Sequence, residues 1–286
     1  METAVNAIIS ALVLSSMYIL VALGFALLLS VVGVLNFAHG AIYMVGGYIC
    51  YQFAVEFGLN QWLSLALSVI IMGAFGLLLE KFCFRPFFGD MYRTIVMSIA
   101  IVLVLETTVN VLVGVHIRSL PSFVPGILRA GAISLSAERL FTFIIGGLLL
   151  LGLTWFIRRA KVGQQMLAVA QDVEGAALQG IDINHISALA CALGCALAAV
   201  AGSLMGAIFE LSPFMGDYML VKAIQLVILS GIGSIGGVLA AGLIIGSIDA
   251  VLPLFSSGAV TQAVGLGIII ALLLLRPQGL FGREVT

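Results

Sequence analysis

Charge is what this sequence has least of. Of its 286 residues 9% are Asp, Glu, Lys or Arg against 62% that are hydrophobic, and the mean hydropathy is +1.26. Soluble domains carry about 25% charged residues. Twelve basic and thirteen acidic side chains cannot clothe a 30.0 kDa globule in water, so lipid must be the solvent for most of the surface. The length leaves room for roughly eight to ten spans of about 20 residues and nothing for a separate soluble domain. Residues 1–286 therefore read as one transmembrane domain. A net charge of −1 and a pI near 6.3 exclude a basic nucleic-acid binder.

Lysine is scarcer still. Lys81, Lys161 and Lys222 are followed by Phe82, Val162 and Ala223, so no glycine-rich loop ending in Gly-Lys-Ser/Thr exists to cradle a nucleoside triphosphate. Active transport by such a chain requires either an ion gradient acting on intramembrane ionisable groups or another subunit that hydrolyses ATP. The four cysteines, Cys50, Cys83, Cys191 and Cys195, all sit inside apolar runs, which argues against a disulfide framework. Cys191 and Cys195 share a helix face, yet no histidine or carboxylate joins them within a turn; they read as small packing residues and not as metal ligands. Met1-Glu2-Thr3 lacks the basic region of a cleavable signal peptide, so the first apolar run is expected to be retained.

What is present in quantity is apolar sequence. Nine runs emerge, near 4–35, 40–57, 61–84, 94–115, 140–157, 187–209, 218–233, 236–255 and 260–275. The first is over-long, the second and seventh are short, and broken or re-entrant helices are expected near both. The fold class is an all-α polytopic bundle of 8 or 9 spans. Lys81, Arg85, Arg93, Arg158, Arg159, Lys161, Arg276 and Arg283 cluster in three regions, and placing these in the cytoplasm puts eight of the twelve basic residues inside. Nine spans then give an outer N-terminus and an inner C-terminus. Eight spans with a re-entrant second segment and an inner N-terminus fit the charges equally well.

Two connections are long. The outer loop, 116–139, contains Pro121, Pro125, Gly126 and Gly131 and is expected to be irregular. The inner loop, 158–186, carries helix formers from Gln164 to Leu178, with Gly180 as a stop, and predicts one short amphipathic helix suited to docking a partner.

Polar residues inside apolar runs are the candidate functional groups. Asn36-Phe37-Ala38-His39-Gly40 places an amide and an imidazole between two runs. It reads either as a helix break lining a translocation path or as an interfacial turn capped by Asn36. Glu106, with Asn110 a turn later, lies about 20 Å of helix past Arg93. A carboxyl at that depth faces a bundle interior or a watery cavity. It serves either as a proton relay or in an interhelical hydrogen bond to Gln225 or Lys222. Asp249 and an Asp217/Lys222 pair raise the same alternatives. Gly202-x-x-x-Gly206 and Gly242-x-x-x-Gly246 are small-residue packing patterns, and Gly231-Ile-Gly233-Ser234-Ile-Gly236-Gly237 is a second expected helix break.

Four stretches, in order, carry a resemblance. Val34-Leu-Asn36-Phe-Ala-His39-Gly40-Ala-Ile-Tyr43-Met44-Val-Gly46-Gly-Tyr48 resembles the N-terminal signature of the LivH-type permease subunits of bacterial ABC importers for branched-chain amino acids. Ala170-Gln-Asp172-Val-Glu174-Gly-Ala-Ala177-Leu-Gln-Gly180-Ile181-Asp182 resembles that family's coupling motif, with Gly175 in place of the first alanine. Leu229-Ser-Gly-Ile-Gly233-Ser234-Ile-Gly-Gly237 and Leu275-Arg276-Pro277-Gln278-Gly279-Leu280-Phe281 are similar to the family as well.

The resemblance implies a permease subunit in the bacterial inner membrane, forming half of a translocation pathway. Its implied partners are a second homologous permease, two ATP-binding cassette subunits and an extracytoplasmic substrate-binding protein. ATP and magnesium would then sit on the partners, and this chain would hold no cofactor and catalyse no reaction. Asp172, Glu174, Ala177, Gly180 and Ile181 map onto the coupling motif. Asn36, Phe37, His39 and Tyr43, joined by Glu106, Asn110 and Gln225, make up the expected substrate path. Branched-chain or other small neutral amino acids are the expected cargo, with urea, amides and aromatic acids also within the family's range. The alternative is an ion-coupled secondary carrier working through Glu106.

Overall fold

The computed structural model describes residues 2–130, 133–231, 234–276 and 278–281. Gly131, Gly233, Pro277 and Arg283, used above, lie outside the described residues. The chain forms α1 (Glu2–Leu27), α2 (His39–Tyr51), α3 (Gln61–Leu79), α4 (Met91–Val113), β1 (Ile127–Ala130), β2 (Ile133–Ser136), α5 (Ala137–Arg159), α6 (Lys161–Gln171), α7 (Val173–Leu178), α8 (Ile183–Ile208), α9 (Met215–Ser230), α10 (Ile235–Val251) and α11 (Gly258–Leu275). Wide π-turns continue α1 through Leu28–Val32, α2 through Gln52–Glu56 and α3 through Glu80–Phe84. Among the described residues seven helices are long and apolar enough to cross a bilayer, which makes the chain a multi-pass membrane protein. Each of the nine apolar runs coincides with one helix to within a few residues.

The bundle has two rims, named here by what they carry. The basic rim holds Arg158, Arg159 and the helices α6 and α7; the other carries the β1–β2 hairpin, paired antiparallel from Ile127–Ser136 to Ala130–Ile133. That hairpin, and the start of α5 at Ala137, correct the expectation of an irregular loop over 116–139. Ladder hydrogen bonds give this polar stretch a local solution that composition alone does not reveal. The hairpin rim is further pinned by Arg118 and Leu211, whose backbones exchange hydrogen bonds at 3.0 and 2.7 Å.

α1 starts at the hairpin rim, where Arg139 donates to Ser10 Oγ at 3.0 Å, and ends at the basic rim, where Val31 packs against Met166 and Val169 of α6. α2 begins part-way up, with Phe37 N donating to Ser98 Oγ at 3.2 Å, and reaches the hairpin rim at Tyr51, beside Arg118. Residues 33–38 and α2 together run from beside the basic rim to the hairpin rim. α9 is the second short element: its 16 residues span about 24 Å, less than the roughly 30 Å hydrocarbon core. Its end at Gly231, with φ +84°, is met by the tail of the chain, where Leu280 N and Phe281 N donate to Leu229 O and Ser230 O at 2.9 and 3.1 Å. At the short second and seventh runs stand α2, preceded by non-helical residues, and α9, a continuous 16-residue helix.

Burial sorts the helices. The spans of α1 and α8 are 83% and 72% buried, whereas those of α4 and α11 are 11% and 17% buried, so the former pair is the core and the latter pair the apolar perimeter. Close backbone approach makes the core. A Cβ on Gly202 of α8 would overlap the carbonyl of Tyr43 in α2, and one on Gly242 of α10 would overlap Ile19 of α1. Small-residue spacing thus does in this bundle what it does in membrane helices generally, bringing backbones within van der Waals reach where lipid offers no hydrophobic drive.

Candidate translocation site and coupling surface

Three helices bring polar side chains together deep in the bundle. Tyr18 sits midway along α1, Tyr218 and Lys222 lie one turn apart on α9, and Asp249 projects from α10. Lys222 Nζ lies 2.7 Å from Asp249 Oδ2 and 3.0 Å from Oδ1, with both side chains at most 3% exposed. The hydroxyls of Tyr18 and Tyr218 each reach Asp249 Oδ2 at 2.9 Å and stand 3.0 Å from each other. Both rings also face the ammonium, at 5.9 and 5.2 Å from their centroids. A buried lysine and a buried aspartate in lipid are each costly alone and tolerable when paired and hydrogen-bonded.

This pairing corrects two expectations. Lys222 is bound to Asp249, not to Asp217, and neither Lys222 nor Gln225 meets Glu106. Sequence proximity on one helix suggested Asp217, but five residues separate Asp217 and Lys222, which is neither a three- nor a four-residue helical step. Glu106 instead stands beside Asp217, side chain to side chain, between α4 and the start of α9. Gln225 is buried toward Gly265 of α11 with its Oε1 unpartnered among the described residues, and Asn110 lies half-buried near the end of α4.

A cavity of about 320 Å³ opens beside the cluster. Tyr18, Tyr43, Tyr218, Asp249 and Glu210 supply its polar wall, and Leu14, Met205, Phe209, Met215 and Met219 the apolar one. Of the seven path residues named from sequence, Tyr43 lines this cavity. Asn36 and His39 are fully buried in the protein. Asn36 Oδ1 accepts from Ala38 N at 3.0 Å, a local turn that precedes α2, whose N-cap is Ala38 with no side-chain cap. His39 Nε2 lies 3.1 Å from Val21 O, with its ring edge-on to Phe25. Among the described residues Nδ1 of His39 and Nδ2 of Asn36 have no partner. The polar cavity residues missed from sequence are Tyr18, Glu210 and Tyr218. One signal was available: single charges of opposite sign on neighbouring spans, Lys222 and Asp249, must find each other, and hydroxyls on adjacent helices complete such a pair.

On the basic rim the expected single helix is two, α6 and α7, broken at Asp172. Asp172 has extended backbone and its Oδ1 accepts from Gly175 N at 3.0 Å, so it caps α7 where an unbroken helix would need it inside a turn. A Cβ on residue 175 would crowd the Asp172 carboxylate, which accounts locally for glycine at that position. Gly180 ends the segment at φ +80°, as expected. Ala176 is buried against α6 and the foot of α8, and Ile181 is half-buried on the same cluster. Val173, Glu174, Ala177 and Leu178 face outward, Leu178 being 87% exposed. Arg85 binds Glu80 through two contacts, 3.0 and 2.6 Å, and donates to Asn184 O at 3.3 Å, fastening the end of α3 to the start of α8 just beyond this segment.

Residues 7–275 match the family described as the permease component of branched-chain amino acid transport systems. The chain is 31% identical to the high-affinity branched-chain amino acid transport system permease protein BraD of Pseudomonas aeruginosa, covering 96% of this chain and 95% of that one. It is also 31% identical to the permease protein LivH of Escherichia coli, over 94% and 92% of the two chains. Among solved structures, PsaBC from Streptococcus pneumoniae in complex with Fab superposes with a TM-score of 0.54 at 14% identity, covering 97% of this chain, which shows the fold. The chain accordingly belongs to the family of permease components of branched-chain amino acid transport systems.

Proposed function

We propose that this chain is one permease half of an ATP-driven importer for branched-chain or other small neutral, hydrophobic amino acids. In this reading it pairs with a second, homologous permease, receives substrate from an extracytoplasmic binding protein at the hairpin rim, and docks an ATP-binding cassette subunit on α7. It lies in the cytoplasmic membrane with the basic rim and the C-terminus inside, in keeping with the excess of arginine and lysine there. ATP and magnesium are held by the partners. Asn36, Phe37, His39, Tyr43, Glu106, Asn110 and Gln225 are the proposed path residues, and Asp172, Glu174, Ala177, Gly180 and Ile181 the proposed coupling residues.

The observation that carries the reading is the seating of α7. It is a short, capped helix whose outer face combines Glu174 with exposed Val173 and Leu178 and whose inner face packs through Ala176 onto the cluster that holds Val31 of α1. A force applied to that outer face is delivered to the core helix. The test is uptake by the complete importer in proteoliposomes. Glu174→Lys or Gly180→Leu should abolish ATP-driven uptake while leaving the protein in the membrane, and normal uptake in both would count against the assignment. Reconstitution of this chain alone under a proton or sodium gradient tests the ion-coupled alternative through Glu106; accumulation without ATPase partners would replace the importer reading.

A further inference from the structure

The cavity beside Tyr18 and Asp249 has a wall chemistry that the family match leaves unassigned. Its polar groups are acceptors in excess. Lys222, 1% exposed, spends its contacts on Asp249 from behind, so its charge is compensated before it reaches the lumen. The two tyrosine hydroxyls carry two protons for three short oxygen contacts, at 2.9, 2.9 and 3.0 Å, so lone pairs are left over in any arrangement. Glu210 adds a carboxylate at the same wall that has no ion-pair partner among the described residues. Two carboxylates against one ammonium leave the wall net negative. The opposite wall is Leu14, Met205, Phe209, Met215 and Met219, apolar and, through its methionines, adaptable in shape. A volume of about 320 Å³ lies at the lower end of the range of small-molecule sites.

We propose that this cavity, on the hairpin-rim side of the bundle, is a binding site for an aliphatic primary ammonium group. Asp249, Glu210 and the hydroxyl of Tyr218 receive the –NH3+, and the aliphatic chain lies among Met205, Met215 and Met219. A zwitterionic amino acid is then recognised through its amine, with its carboxylate left toward the mouth, where Phe209 and Tyr218 are partly exposed. This rests on the importer reading and narrows it: urea, amides and aromatic acids without an amine do not satisfy the site.

The test separates the two. The full-length chain in lipid nanodiscs is photolabelled with a leucine analogue that carries a diazirine in its side chain, and labelled peptides are mapped by mass spectrometry. Label is expected between residues 205 and 219. Excess leucine or 3-methylbutylamine should displace the probe and lower the label about tenfold or more, whereas 4-methylpentanoate, which lacks the hydrogen-bonded charge, and urea should leave it unchanged. Glu210→Gln, a change at an exposed residue outside the ion pair, should weaken protection by the amine. Met219→Trp, which fills the cavity and keeps both members of the Lys222–Asp249 pair, should abolish the label. Equal protection by 4-methylpentanoate, label confined elsewhere, or label that survives Met219→Trp would overturn the proposal. ATP-driven leucine uptake by the complete importer is the separate arm. Uptake without labelling overturns this site alone; labelling without uptake overturns the importer reading.

Discussion

Lys222 and Asp249 form an ion pair, 2.7 Å between Nζ and Oδ2, that joins α9 to α10 with both side chains at most 3% exposed. Removing one partner leaves the other as an uncompensated charge in a low-dielectric interior. Asp249→Leu or Lys222→Met alone should therefore destabilise the protein by about 3–5 kcal/mol, whereas the two combined should restore much of the loss. Thermal melting of the purified chain in detergent, run as a double-mutant cycle, measures the coupling; additive losses would show that the pair is not an energetic unit.

Arg85 and Arg93 give a contrast on the basic rim. Glu80, the partner of Arg85, is fully buried, whereas Asp90 and Arg93 are 39% and 72% exposed. Arg93→Ala should cost no more than about 1 kcal/mol. Arg85→Ala should cost several times that, because it strands Glu80, and Arg85→Lys should recover only part, since an ammonium cannot reproduce the two-pronged contact. The same melting assay ranks the three variants.

Gly175 and Asp172 make a prediction whose sign goes against helix propensity. In an unconstrained helix Gly→Ala gains up to about 1 kcal/mol. Here the added methyl meets the capping carboxylate, so Gly175→Ala should loosen α7, and Asp172→Ala, which removes the cap, should loosen it by about 0.5–2 kcal/mol. Amide hydrogen exchange over residues 172–180 reads both. Slower exchange in Gly175→Ala would mean that the cap yields and propensity wins.

Gly202 against Tyr43 tests the core. Gly202→Val should push α2 from α8 and cost at least about 1–3 kcal/mol, whereas Gly147→Ala, which faces open space, should change stability by less than about 0.5 kcal/mol. Protease resistance of the two variants in membranes distinguishes them.

The extent of each helix was legible because a span in lipid must satisfy its own backbone and be apolar for its whole length, a demand written locally in every run. Hence the run at 61–84 became α3 with its π-turn, and the shortness of 40–57 announced the break before α2. Partner choice was not legible. Lys222 lies on the same helix as Asp217, yet the helical period turns it toward Asp249 on another helix. Glu106 likewise faces Asp217 and not the more obvious amide or amine. Asp172 was legible in principle, being an acidic N-cap before Val-Glu-Gly, but the surrounding helix formers masked it as one longer helix. Of the expected path, Tyr43 reaches the cavity, while Asn36 and His39 form the buried foot of α2. The tyrosines that complete the cavity looked, in an apolar run, like any other large residue.

One helix touches both ends of this arrangement. Val31, continuous with α1, is packed into the cluster under α7, and Tyr18, thirteen residues up the same rod, reaches Asp249. Thirteen residues of helix make a lever arm of about 20 Å, so a tilt of about 5° pivoting at Val31 carries the Tyr18 hydroxyl sideways by roughly 1.7 Å. That displacement is enough to turn a 2.9 Å hydrogen bond into no bond at all. A small rocking of the rod at the basic rim is thereby converted, with no intermediate part, into the making and breaking of a contact in the wall of the cavity.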